Sequence, residues 1–119
     1  DLAAAYQRAN LVVVPVHSGG GTNIKVLEAM AHGRPCLVSS FVATAFEGLL
    51  SDGRELLVAN TGQEFRVKTM AALTGQSDVQ RVVDAGYLAV EKNFTLAIFA
   101  SKVTNFVRKV LMDKVHFKD

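Results

Sequence analysis

Apolar residues in this chain fall into two kinds of run. The first is short, continuous and largely β-branched: Leu11–Val14, closed by Pro15, and a second run starting at Cys36–Val38, entered through Gly33 and Pro35. Unbroken apolar runs of this length, bounded by breakers, suit strands covered on both faces of a parallel sheet. The second kind recurs at helical spacing. Between the two strands, Ile24, Leu27 and Ala31 form one stripe with Val26 and Met30 beside it, which predicts a helix over Asn23–His32. Thr22 stands at its N-cap, and Gly33 is its left-handed stop. Strand, helix, strand is the crossover that parallel pairing requires.

The flanks extend this unit. Asp1 is expected to cap a short helix, Leu2–Arg8. After Ser40, FVATAFEG reads as a loop running to Leu49, Ser51-Asp52-Gly53 as a turn, and Glu55–Ala59 as a third short strand. Thr61-x-x-Glu64 is a capping box opening a helix to about Leu73, ended by Gly75, and Ser77-x-x-Gln80 is a second, opening a helix to about Lys92. A last helix is predicted from Thr95 to about Asp113, with Phe99, Val103, Phe106, Val107, Val110 and Leu111 on one stripe and Lys102, Arg108, Lys109 and Lys114 off it. The sum is an α/β fold: a parallel sheet of about three strands, flanking helices and a helical C-terminal part, in a single domain over residues 1–119.

Composition narrows the functional classes. Half of the residues are apolar, enough for one real core. The net charge of +2, with no basic run interleaved with aromatics, gives no footprint for nucleic acid. Cys36 is the one cysteine, so no disulfide framework exists, and a reducing, cytoplasmic setting is expected. No apolar run approaches the ~20 residues of a membrane span. The basic amphipathic character of the last helix allows peripheral contact with an anionic membrane; core packing with a solvated basic face is the simpler account.

Candidate chemistry concentrates between the first two strands. Gly19, Gly20 and Gly21 free the backbone to approach a ligand closely, and the helix beginning at Thr22 and Asn23 offers free N–H groups at a positive dipole end, an anion site by construction. A plain glycine-rich connector is the alternative. Lys25, a cation in the first turn, opposes the helix dipole; it would make sense beside a diphosphate, and otherwise extends to solvent. Glu28, one turn on, could accept two hydrogen bonds from a vicinal diol such as that of ribose, or pair with Lys25 on a solvated face. His17 could face the same site or be an ordinary loop histidine. Glu47 could cap a turn. His32 and His116 have no metal-ligand spacing with Cys, Asp or Glu, so no metal is expected. Cys36 lacks an adjacent base and reads as inert core.

The stretch GGGTNIKVLEAMAHGRPCLVSS resembles the donor-binding segment of retaining glycosyltransferases of the two-domain GT-B fold, family 4 or group 1 type, which carry a glycine-rich loop, a helix close to K-V-L-E-A-M-A-x-G-x-P and a V-V-S strand. FEGLLSDGRELLVAN is similar to the second signature of that family, and the resemblance covers residues 1–65. It implies a partial Rossmann-like sheet: the latter part of a C-terminal, nucleotide-sugar-binding lobe, with earlier strands and the N-terminal acceptor lobe upstream. It also implies a nucleotide diphosphate sugar as substrate, no cofactor or metal, the amides of Gly19–Thr22 on the diphosphate with Asn23 and Lys25 beside them, Glu28 on the ribose and Glu47 near the donor. The last helix would cross to the other lobe. A sheet lacking its earlier strands has an open edge, so self-association through that edge is expected. Many members carry two glutamates separated by seven residues; the first position is Gly20 here, so the donor sugar does not carry over. That departure also leaves room for a non-catalytic structural or interaction module that kept the fold, or for a nucleotide-binding module unrelated to sugar transfer.

Overall fold

The computed structural model describes residues 2–76 and 78–93, together with Arg108. The expected cap at Asp1, the capping serine at Ser77 and, apart from Arg108, the helix over 95–113 lie outside the described residues. Eight elements follow in order: α1 (Leu2–Arg8), β1 (Val12–Val14), α2 (Asn23–Ala31), β2 (Cys36–Val38), α3 (Ser40–Thr44), β3 (Leu57–Val58), α4 (Gly62–Leu73) and α5 (Val79–Asn93). The three strands form one parallel sheet in the order β1-β2-β3. Val12 pairs with Cys36 and Val14 with Val38, while Leu37 pairs with Leu57 and Val38 with Val58. This is the α/β, Rossmann-like arrangement that the two apolar runs and the intervening helix imply, with helices following the sheet.

The central strand is the driest part of the described residues. Cys36, Leu37 and Val38 have no exposed surface, and Val26, Ala29 and Met30 of α2 close over them with Val42, Phe46 and Leu56. The Cys36 Sγ points at the Val26 carbonyl at 3.7 Å, and burial pushes its thiol up to about 12. Helix α2 ends as the sequence implies. Gly33 adopts φ +67°, its N–H donates to the Met30 carbonyl at 3.0 Å, and the Arg34 N–H donates to Ala29 at 2.9 Å, a complete Schellman stop. Helix α5 crosses α2 with Val82 and Gly86 buried at the contact.

Two elements differ from expectation. The stretch expected as a loop after Ser40 contains α3, five residues opened by Ser39, whose side chain accepts from the Val42 N–H. A helix this short has no room for an apolar period; its only local signal is the capping serine. The third strand is Leu57–Val58 rather than Glu55–Ala59, because Glu55 is held in the preceding turn, its N–H on the Ser51 carbonyl and its Oε1 on the Ser51 N–H at 2.9 Å. The Thr61–Glu64 capping box forms with both reciprocal bonds. At the start of α5, Asp78 accepts from the Arg81 N–H at 3.3 Å.

The two outer strands end the sheet differently. In a parallel ladder alternate residues turn their N–H and C=O outward. On β3 that residue is Val58. Its N–H donates to Asp52 Oδ1 at 2.9 Å, its carbonyl accepts from Lys68 Nζ, and Lys68 and Asp52 pair at 3.7 Å. Nothing comparable covers Val13 on β1 among the described residues, and the residue is 42% exposed.

Candidate functional site

Parallel strands send their carboxyl ends to one side of the sheet, and α2 and α3 both begin there, after β1 and β2. Ligands of open α/β sheets bind in this position. Between β1 and α2 the chain makes a loop in which Gly19 (φ +93°) and Gly21 (φ +83°) take left-handed backbone, with open space where a side chain would stand. Gly20 does not require that conformation. The loop is pinned beneath by Ser39, whose Oγ donates to the Val16 carbonyl, and the Ser39 N–H donates to Val14 at 3.2 Å.

Thr22 occupies the N-cap position of α2 without capping it. Its backbone is already helical (φ −88°, ψ −18°), its side chain makes no cap bond, and the residue is buried. The first intrahelical bond comes from the Val26 N–H to the Thr22 carbonyl at 3.3 Å. The amides of the opening turn are therefore left without intrahelical or capping partners. α3 and α4 each have a side chain in that role, Ser39 and Thr61. Gly19, Gly20, Gly21, Thr22 and Asn23 face Phe41, Thr44 and Ala45 of the α3 region across a concavity of about 280 Å³.

The other candidates lie around this concavity or away from it. Lys25 is exposed in the first turn of α2 and makes no ion pair among those described. Glu28 does not line the concavity; it is half-buried one turn further along α2, and its Oε2 accepts from the Tyr6 hydroxyl at 3.1 Å. No ion pair links Glu28 to Lys25, so the solvated-pair arrangement does not form. His17 is exposed just before the glycines, and Glu47 is exposed after α3, in a turn ended by Gly48 at φ +84°. Neither lines the concavity. Among the described residues no three His, Cys, Asp or Glu side chains approach as a metal cluster would, and no helix is long and apolar enough to cross a membrane.

Tyr6 is the participant that sequence reasoning missed. It lies 22 positions before Glu28, on a helix with no motif of its own. Burial, and then its hydrogen bond to Glu28, push its phenol pKa up from the ordinary value, so it stays a donor. A larger concavity, about 470 Å³, lies against α5 at the opposite end of α2, lined by Gly33, Gln80, Val83, Asp84, Tyr87 and Leu88. Its charged group is an acid already bonded to Gln80 at 2.8 Å, so it offers no anion-binding chemistry.

Comparison with known proteins adds one finding. A family model described as glycosyl transferases group 1 matches residues 1–75, the part holding α1, β1, α2, β2, α3, β3 and α4. No curated protein and no solved structure matches the chain.

Proposed function

The chain belongs to the glycosyl transferases group 1 family, and from that premise we propose that it is the donor-binding part of a GT-B enzyme moving a sugar from a nucleotide diphosphate sugar to a hydroxyl acceptor. One observation carries the reading: the uncapped start of α2, behind a loop with two left-handed glycines, opens into a concavity at the carboxyl ends of the strands. The amides of the opening turn of α2 have none of the described groups to bond.

The chemistry follows from that geometry. Breaking the bond between sugar and diphosphate leaves negative charge on the leaving oxygens. Fixed N–H donors and a helix dipole aimed at that charge stabilise it without reorganising, as oxyanion donors do. Gly19–Thr22 and Asn23 bring amides to the diphosphate, and Lys25 adds a mobile cation one residue pair into the helix. Glu28 lies about 7.5 Å further along the axis than Asn23, at the helical rise of ~1.5 Å per residue. An ionised carboxylate there can accept from both hydroxyls of a diol.

Size limits the role. A concavity of about 280 Å³ lies at or just below the small end of ligand pockets, roughly 300–1,000 Å³. It accommodates the diphosphate with part of the sugar; the base and the acceptor need walls from elsewhere, which fits the latter part of a donor lobe. The chain by itself is therefore expected to show no transferase turnover.

The test is a titration of isotope-labelled chain with UDP, GDP and ADP, followed by amide NMR. Shifts confined to Gly19–Asn23 and α2, similar for the three bases and weakened in Glu28→Ala, are the expected result. Chains that keep dispersed spectra but show no shift with any of the three would point to a structural module that retains the fold alone.

A further inference from the structure

Glu28 is gripped at both ends. Its backbone carbonyl lies 2.8 Å from His32 Nδ1, and its carboxylate receives the Tyr6 hydroxyl. Tyr6 is itself fixed. Its ring stacks on His32 with centroids 4.9 Å apart and planes 20° from parallel, and the residue is 8% exposed. Arg34 holds the end of α1, with Nε donating to the Tyr6 carbonyl at 2.8 Å and a terminal nitrogen to Gln7 at 2.9 Å. The Tyr6 carbonyl also accepts the Ala9 N–H at 3.2 Å, so the cation adds to it and meets the Gln7 carbonyl at the negative end of the helix. Arg34 and His32 both stand just past the end of α2, so one short turn secures the tyrosine and the glutamate backbone together.

A glutamate on an open helix face has three side-chain torsions to settle before it can meet a diol, and each ordered torsion costs binding. The tyrosine bond occupies one of about four acceptor positions on the carboxylate and leaves Oε1 whole. We propose that Tyr6 is a positioning residue that presets the Glu28 carboxylate for the two hydroxyls of a nucleotide ribose. This rests on the assignment of Glu28 to ribose given above, and the experiment separates the two claims.

Binding of UDP, GDP and ADP to the chain is measured by calorimetry. The tightest is then compared with its 2′-deoxy form for wild type, Glu28→Gln and Tyr6→Phe. Wild type should prefer the ribose form by about ten-fold or more, the usual worth of a hydrogen bond to a charged group. In Glu28→Gln the preference should fall towards one. Tyr6→Phe keeps the ring that stacks on His32 and loses only the hydroxyl. It should lower the preference by at least about three-fold, with a smaller loss of affinity for the deoxy form, which keeps one of the two hydroxyls, the mark of lost preorganisation. Equal weakening of both forms in Tyr6→Phe, or an unchanged preference, overturns the positioning role while sparing Glu28. No binding by wild type, or no preference for ribose in wild type, overturns the Glu28 assignment and the role of Tyr6 with it. Unfolding midpoints of the three chains confirm that each compared protein is folded.

Discussion

Gly86 gives the sharpest test of the packing. It is buried where α5 crosses α2, and a Cβ built on it would stand 3.0 Å from the Glu55 carbonyl oxygen, 3.5 Å from Met30 Cγ and 3.7 Å from Met30 Cε. In an unconstrained helix, glycine to alanine gains about 1 kcal/mol. Here the closest neighbour is a backbone atom in a turn that cannot shift freely. The Glu55 N–H is bonded to Ser51, its side chain to the Ser51 amide, and the next residue, Leu56, is completely buried. Overpacking of this kind costs about 1–3 kcal/mol. Gly86→Ala should therefore be destabilising by a net ~1 kcal/mol, a fall of roughly 3–6 °C in Tm for a domain of this size. Gly62→Ala, at the first residue of α4 with open space around it, is the control and should be neutral or slightly stabilising. Urea unfolding followed by circular dichroism reads both. A Gly86→Ala protein as stable as wild type, or more so, would refute the claim that α5 is seated against the Glu55 turn.

Three further outcomes are expected. Gly21→Ala, at φ +83°, should lose about 1–2 kcal/mol of stability from left-handed backbone strain and weaken nucleotide binding, whereas Gly20→Ala should leave stability within about 0.5 kcal/mol; thermal melts and the nucleotide titration check both. Backbone N–H bonds from Asn60 and Thr61 hold the Glu64 carboxyl below its ordinary pKa, so its contribution is present above the unfolded carboxylate value of about 4 and is lost as pH falls through the lowered folded value. The stability gap between wild type and Glu64→Gln at pH 7 should thus shrink in acid, as read by denaturant titrations at both ends. For Cys36 the sign is opposite: burial raises its pKa from 9.0 to about 12, so the unfolded thiol ionises first. The gap between wild type and Cys36→Ala should narrow as pH rises through that range, and a thiol reagent at neutral pH should label the chain only after denaturant is added.

The β1-α2-β2 unit is readable in the sequence because its signals are local: a β-branched run, three glycines, a helical stripe, a glycine stop. Gly33 and Thr61 behave as read because capping chemistry depends on residues within four positions. What escaped is either too short or too distant. Helix α3 has five residues and no period, and β3 lost Glu55 to a turn bond that only the folded backbone makes. Thr22 has the right residue type for a cap, but its helical backbone and buried position take the hydroxyl out of that role. The candidate site divides the same way. The glycine loop and Asn23 come together because they are consecutive, whereas the partner of Glu28 could be found only once α1 was placed against the far end of α2.

The unequal edges of the sheet have a consequence for stoichiometry. Open-ended strand-by-strand growth needs a sticky edge at each end of every unit. On β3, Asp52 and Lys68 already occupy the outward groups of Val58, so that side is closed. Among the described residues, β1 is the edge left uncovered. A copy joining there would do so about a two-fold axis, β1 against β1, and would consume the one edge left uncovered among the described residues of each chain. Edge pairing would then stop at two, and substituting Asp52 or Lys68 is the change that would let the series continue.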